Sequence, residues 1–115
     1  MAKRILVVDD EKDCCSFIND YLAKRGYSVD VAYDGIQAKE MLDKNSYDCI
    51  FFDCNMPELT GIELVSVINK KNPHARKVMI SGYEGVDENF AKKIGIDAFL
   101  SKPVILRDLE TAIGA

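Results

Sequence analysis

Residues 48–53 read Asp48-Cys49-Ile50-Phe51-Phe52-Asp53, four apolar side chains in a row between two aspartates. A near-continuous apolar run of this length marks a strand covered on both faces, because a strand with one wet face alternates apolar and polar residues. Residues 4–8 (Arg4-Ile5-Leu6-Val7-Val8) and 76–81 (Arg76-Lys77-Val78-Met79-Ile80-Ser81) have the same character. Further strand signals fall at 28–32 (Ser28-Val29-Asp30-Val31-Ala32) and 97–101 (Asp97-Ala98-Phe99-Leu100-Ser101).

Working outward from these runs, the intervening segments have helical spacing. Residues 12–25 place Cys14, Phe17, Ile18, Tyr21 and Leu22 on one stripe, with Gly26 as a stop. Residues 36–44 carry Ile36, Met41 and Leu42, and residues 61–71 carry Leu64, Val65 and Ile68 before Asn72-Pro73. Residues 86–94 carry Phe90, Ala91 and Ile94, closed by Gly95. Residues 104–113 carry Ile105, Leu109, Ala112 and Ile113. Strict strand–helix alternation predicts an α/β fold. The expected form is a three-layer (βα)5 doubly wound parallel sheet of flavodoxin-like strand order 2-1-3-4-5.

The chain has 115 residues, 48 % apolar and 30 % charged, which suits one domain over 1–115 that buries roughly two thirds of its unfolded surface. Its 15 Lys and Arg against 19 Asp and Glu give a net charge of −4, so a direct nucleic-acid partner is not expected. No apolar stretch approaches the ~18 residues of a membrane span. The four apolar residues Ile5 to Val8 are too short for a signal-peptide core, so a cytoplasmic location is expected and no membrane partner. The four cysteines form no Cys-x-x-Cys pair and His74 is the only histidine, which argues against a zinc site or a disulfide framework. They read as free thiols used as small apolar residues.

In such a sheet, binding sites lie outside the carboxyl ends of the strands. The sequence puts Asp9-Asp10-Glu11 after strand 1, Asp53 at the end of strand 3, Ser81-Gly82 after strand 4 and Ser101-Lys102-Pro103 after strand 5. Carboxylates brought together raise one another's pKa unless a cation offsets them. Lys102 and a divalent ion are the available compensators. An all-oxygen donor set selects a hard cation, Mg²⁺ or Mn²⁺, over zinc. The first loop also excludes dinucleotide binding. Its residues 9–13 carry four acids and one lysine in place of the glycines that cradle phosphate. Carboxylate, hard cation, ammonium and hydroxyl together suit phosphoryl transfer, with Asp53 as nucleophile.

The blocks Val7-Val8-Asp9-Asp10-Glu11, Asp53-Cys54-Asn55-Met56-Pro57 with Gly61, Ser81, and Phe99-Leu100-Ser101-Lys102-Pro103 resemble the receiver domain of two-component response regulators, of the chemotaxis-Y type. The resemblance spans the whole chain, in order. It implies that Asp53 is the phosphoacceptor, charged from a phosphohistidine of a sensor histidine kinase or phosphotransfer protein. It implies that Asp10 ligates Mg²⁺ directly, that Asp9 acts largely through water, and that the Asn55 backbone carbonyl is a further ligand. Lys102 would pair with phosphoryl oxygens, and Pro103 would follow a cis peptide bond. Ser81 would supply the switching hydroxyl and Phe99 the switching aromatic. Three positions depart from the usual pattern: Ser81 stands for Thr, Gly82 for a small alanine and Phe99 for Tyr.

The expected output is a changed face built from the fourth predicted helix, strand 5 and the last helix, with contacts at Phe90, Phe99 and Leu106. It would be read by a downstream effector, the chain being a monomer or weak homodimer. The expected activity is phosphoryl acceptance and slow autodephosphorylation, without enzyme turnover on other substrates. One alternative is an aspartyl-nucleophile phosphatase of haloacid-dehalogenase type. It needs a second acid two residues after Asp53, where this chain has Asn55. The other is a phosphorylation-independent binding module, which would have lost an acceptor, acid or lysine that this chain retains. Asp13 reads as a first-turn helix acid, Glu11 as a bystander, and Tyr83 as a ring at the site's rim that slows hydrolysis.

Overall fold

The computed structural model describes residues 3–53, 61–82, 93 and 95–114. Five strands alternate with helices: β1 (Arg4–Val8), α1 (Lys12–Lys24), β2 (Ser28–Ala32), α2 (Gly35–Lys44), β3 (Cys49–Asp53), α3 (Gly61–Lys71), β4 (Arg76–Ser81), β5 (Ala98–Ser101) and α4 (Leu106–Ile113). All strand pairs are parallel and their order is β2-β1-β3-β4-β5. The doubly wound sheet expected from the alternation is therefore the fold. The predicted helix at 86–94, with Phe90, Ala91 and Ile94, falls on residues outside the described ones, Lys93 excepted.

The apolar run that suggested a two-faced strand is buried on both faces. Phe51 and Phe52 are each fully buried, and successive strand residues point to opposite sides. Leu6, Val8, Ile50, Phe52 and Met79 pack with Ala38 and Leu42 of α2 and Leu64, Val65 and Ile68 of α3. Ile5, Val7, Phe51, Val78 and Ile80 pack on the other face with Cys15, Ile18 and Leu22 of α1 and Leu109, Ala112 and Ile113 of α4. Each large side chain buried this way contributes about 1.5–3 kcal/mol.

Three apolar residues of the predicted stripes do not face the core. On α1 the buried set is Cys15, Ile18 and Leu22, whereas Phe17 is 47 % exposed. Three contacts at i, i+3 and i+7 suffice to seat one helix on a sheet, so Phe17 lies off the line. Ile105 is 53 % exposed because it is the N-cap of α4, with extended backbone, and lies outside the helical stripe. Ile36 is also exposed, and Ala38 with Leu42 faces the core instead.

The helix ends follow from local chemistry. Gly26 takes φ +92° after α1, a conformation that suits glycine. Asp34 caps α2: its carboxylate accepts from the Gln37 N–H at 2.7 Å, and the Gln37 side chain accepts from the Tyr33 N–H at 2.9 Å. After α3, Asn72 is buried and its Oδ1 accepts from the Tyr47 N–H at 2.6 Å, tying that turn to the start of β3. His74 is exposed, as its surface turn predicts.

Candidate functional site

Asp9 follows β1 directly. Its N–H donates to the Ala32 carbonyl at 3.1 Å, which continues the β1–β2 pairing by one residue and anchors the carboxylate. Asp9 Oδ1 accepts from the Glu11 N–H at 3.0 Å. Asp53 ends β3 in register with Ile80 of β4, and Ser81 stands in register with Ser101. The Lys102 N–H donates to the Ser81 carbonyl at 3.0 Å, which pins the start of the lysine's course to the end of β4. The Lys102–Pro103 peptide is cis, as the resemblance implied.

The side chains converge. Lys102 Nζ lies 3.0 Å from Asp53 Oδ2, 3.0 Å from Asp9 Oδ2 and 2.6 Å from Glu11 Oε1. Asp9, Asp10 and Asp53 each offer a carboxylate oxygen, all within 4.8 Å of one another. Asp9, Asp53 and Ser81 are buried, while Asp10 is exposed at the mouth.

Burial, the dominant effect, pushes the Asp9 carboxyl above the usual carboxylate range, against the lowering pull of the Glu11 N–H and Lys102. For Lys102, burial opposes the charged form, but hydrogen bonds to Glu11 and Asp53 and the negative charge of Asp9 outweigh it and hold the ammonium well above its ordinary pKa. Lys102 is thus a permanent cation at neutral pH. Asp9 Oδ2 makes no well-aligned hydrogen bond, and what offsets its charge is the ammonium 3.0 Å away. A buried carboxylate oxygen in that state, beside two further carboxylates, fits a hard divalent cation.

Phe99 is half-buried on β5 and packs against the core shared by α2 and α3. Cys54, Asn55, Met56, Pro57 and Tyr83 lie outside the described residues. Burial pushes the thiols of Cys14, Cys15 and Cys49 up to about 12, so they are protonated at neutral pH. The Cys15 thiol donates to the Asp9 carbonyl at 3.2 Å. These three match the expected small apolar role.

Two residues were underestimated from sequence. Glu11, read as a bystander, holds the shortest of the three carboxylate contacts to Lys102. Glutamate is not among the favoured N-caps, and in the structure Glu11, the N-cap of α1, makes no capping bond and leaves its carboxylate to Lys102; the sequence alone does not name that partner. Gly82, read only as a departure from alanine, lies against the lysine stem. A Cβ there would sit 3.3 Å from Lys102 Cβ.

Comparison with known proteins agrees with this fold. Residues 5–114 match the family model "Response regulator receiver domain", and the chain belongs to that family. It is 32 % identical to "Response regulator MprA" of Mycobacterium bovis (strain BCG / Pasteur 1173P2), over 95 % of this chain and 48 % of that protein. It is 31 % identical to "Hybrid signal transduction histidine kinase B" of Dictyostelium discoideum, over 93 % of this chain and 6 % of that protein. The chain thus spans about half or less of the length of these curated relatives. Among solved structures it resembles a CheY-like receiver domain protein from Methanospirillum hungatei JF-1, with TM-score 0.91 and 30 % identity, covering 99 % of this chain and 92 % of that one. It also resembles a Burkholderia pseudomallei response regulator solved "with a phosphorylated aspartic acid, calcium ion and citrate", with TM-score 0.87 and 25 % identity, covering 96 % and 66 %. The family is a signalling one, of two-component response regulators. Among the described residues no helix is long and apolar enough to cross a membrane.

Proposed function

We propose that this chain, as one receiver domain over 1–115, accepts a phosphoryl group on Asp53 from a phosphohistidine of a sensor histidine kinase or phosphotransfer protein. The observation that carries the reading is the Lys102 ammonium 3.0 Å from Asp53 Oδ2, within a group of three convergent aspartates. A carboxylate oxygen of Asp53 forms the new P–O bond as the donor's P–N bond breaks, and the donor imidazole leaves with a proton. Lys102 stabilises the charge that grows on the phosphoryl oxygens. Asp9, Asp10, Asp53 and the Asn55 carbonyl would hold Mg²⁺, or Mn²⁺. When bound, that ion supplies positive charge to the phosphoryl oxygens. The Burkholderia response regulator, solved with both a phosphorylated aspartic acid and a calcium ion, supports this reading.

Phosphorylation replaces the single charge of the Asp53 carboxylate with an acyl phosphate of about two, a net gain of roughly one negative charge, and puts three phosphoryl oxygens beside Lys102 and Ser81. The added oxygens draw the Ser81 hydroxyl inward, and Phe99 follows. The population then shifts toward a second conformation of the face formed by the 86–94 segment, β5 and α4. A downstream effector reads that face in the cytoplasm, on a chain that is a monomer or weak homodimer. Turnover of external phosphate esters is not part of this reading, since Asn55 stands where a phosphatase of haloacid-dehalogenase type needs its acid.

The test is incubation with acetyl phosphate and MgCl₂, read by intact-protein mass. The expected result is a gain of one phosphoryl group that is absent in Asp53→Asn. A folded wild-type protein that stays unmodified overturns the reading.

A further inference from the structure

Lys102 is engaged by three carboxylates, and they are not equivalent. Its ammonium has three N–H donors. It donates to Asp53 Oδ2 at 3.0 Å and to Glu11 Oε1 at 2.6 Å. Its approach to Asp9 Oδ2, also 3.0 Å, is an ion pair without an aligned hydrogen bond. The side chain of Asp9 is 1 % exposed and that of Asp53 11 %, whereas that of Glu11 is 63 % exposed. Releasing Asp9 would strand a buried charge. Releasing Glu11 returns a carboxylate to water at little cost. Glu11 also has no competing task at its position, because its side chain does not cap α1.

We propose that Glu11 is a positioning residue that holds one N–H of Lys102 in reserve and yields it to the phosphoryl group as that group reaches Asp53. The inference rests on the reading of Asp53 as phosphoacceptor. Glu11 keeps the ammonium at the rim of the strongly acidic pocket. An incoming phosphoryl oxygen must compete with it for the donor, so Glu11 slows charging and loosens the charged state. Asp13 supplies the internal comparison. It carries the same charge on the first turn of the same helix, and the carboxylates that pair with Lys102 are those of Asp9, Glu11 and Asp53.

The experiment measures two quantities in wild type, Glu11→Gln and Asp13→Asn. One is the rate of phosphorylation by acetyl phosphate, with the acetate leaving as the P–O bond to Asp53 forms. The other is the affinity for beryllofluoride with MgCl₂, followed by fluorine NMR. Freeing an exposed partner of this kind should raise both by about 2- to 5-fold in Glu11→Gln. The gain should shrink as salt is added, and Asp13→Asn should change neither by as much. No gain in Glu11→Gln, or an equal gain in Asp13→Asn, overturns the role of Glu11 while leaving Asp53 as acceptor. A wild-type protein that neither binds beryllofluoride nor gains a phosphoryl group overturns the acceptor reading, and this inference with it.

Discussion

Lys102 reaches Asp53 across a strand to which neither belongs. Asp53 ends β3, Lys102 follows β5, and β4 lies between them in the sheet, yet Nζ and Oδ2 are 3.0 Å apart. The lysine stem passes over the end of β4 at Gly82, where even a Cβ would crowd it at 3.3 Å. The long, flexible lysine side chain is what lets a cation from one edge of the sheet neutralise carboxylates at its centre.

Removing that cation should cost both chemistry and stability. Lys102→Ala is expected to slow phosphorylation by acetyl phosphate on the order of 100-fold, the scale for losing one stabilising donor of developing charge. In metal-free buffer it should also lower urea stability by about 1–3 kcal/mol, since Asp9 Oδ2 then lacks its counter-charge. The variant's deficit should narrow when MgCl₂ is added.

Divalent metal should stabilise the fold by mass action. At about 100 times the dissociation constant, MgCl₂ should add about 2.7 kcal/mol to unfolding. Asp10→Asn should abolish most of the thermal shift, because the exposed Asp10 belongs to the group of convergent carboxylates. An equal shift in Asp10→Asn would contradict that assignment.

Asp9 sets a pH dependence whose sign is opposite to that of most carboxylates. Its pKa is raised in the folded chain, mainly by burial, above the 3.8 of an unperturbed aspartate. Between those two pKa values the folded state binds more protons than the unfolded one, so the Asp9 contribution to stability grows as pH falls through that window. Chelator-treated wild type should therefore gain on Asp9→Asn between neutral pH and about 4 in urea titrations. A constant difference across that range would refute the assigned shift.

The scaffold should respond to core and cap changes on very different scales. Phe51→Ala removes a fully buried ring from the layer formed with α1 and α4, and should cost about 3–5 kcal/mol. Asp34→Ala removes the α2 cap and should cost about 1 kcal/mol. Urea midpoints at constant slope would check both.

The fold was legible because its signals are local. Val7 and Val8 of β1, the Cys49–Phe52 run and Val78–Ile80 of β4 announce two-faced strands by composition alone, and all are buried. The strand ends by themselves place Asp9, Asp53, Ser81 and Lys102 on one rim. Phe17 and Ile36 are exposed because apolar spacing tolerates a rotation of one position and only contact with the sheet selects the buried line, whereas Ile105 is exposed because the helix begins one residue after it. Glu11 was missed for a related reason: nothing in its neighbours along the chain points to a lysine ninety-one positions later.

Taken alone, the amino-acid order determined the alternation of strands and helices, the parallel sheet, and which acids and which lysine stand at strand ends. These follow from hydrophobic period and from turn residues, both of which act over a few neighbours. Tertiary structure alone decided that Asp9 is buried while Asp10 is not, and that Glu11 shares the ammonium with Asp53. It also decided that Gly82 leaves room for the lysine stem. Those outcomes depend on side-chain reach across strands remote in sequence, which no local pattern encodes.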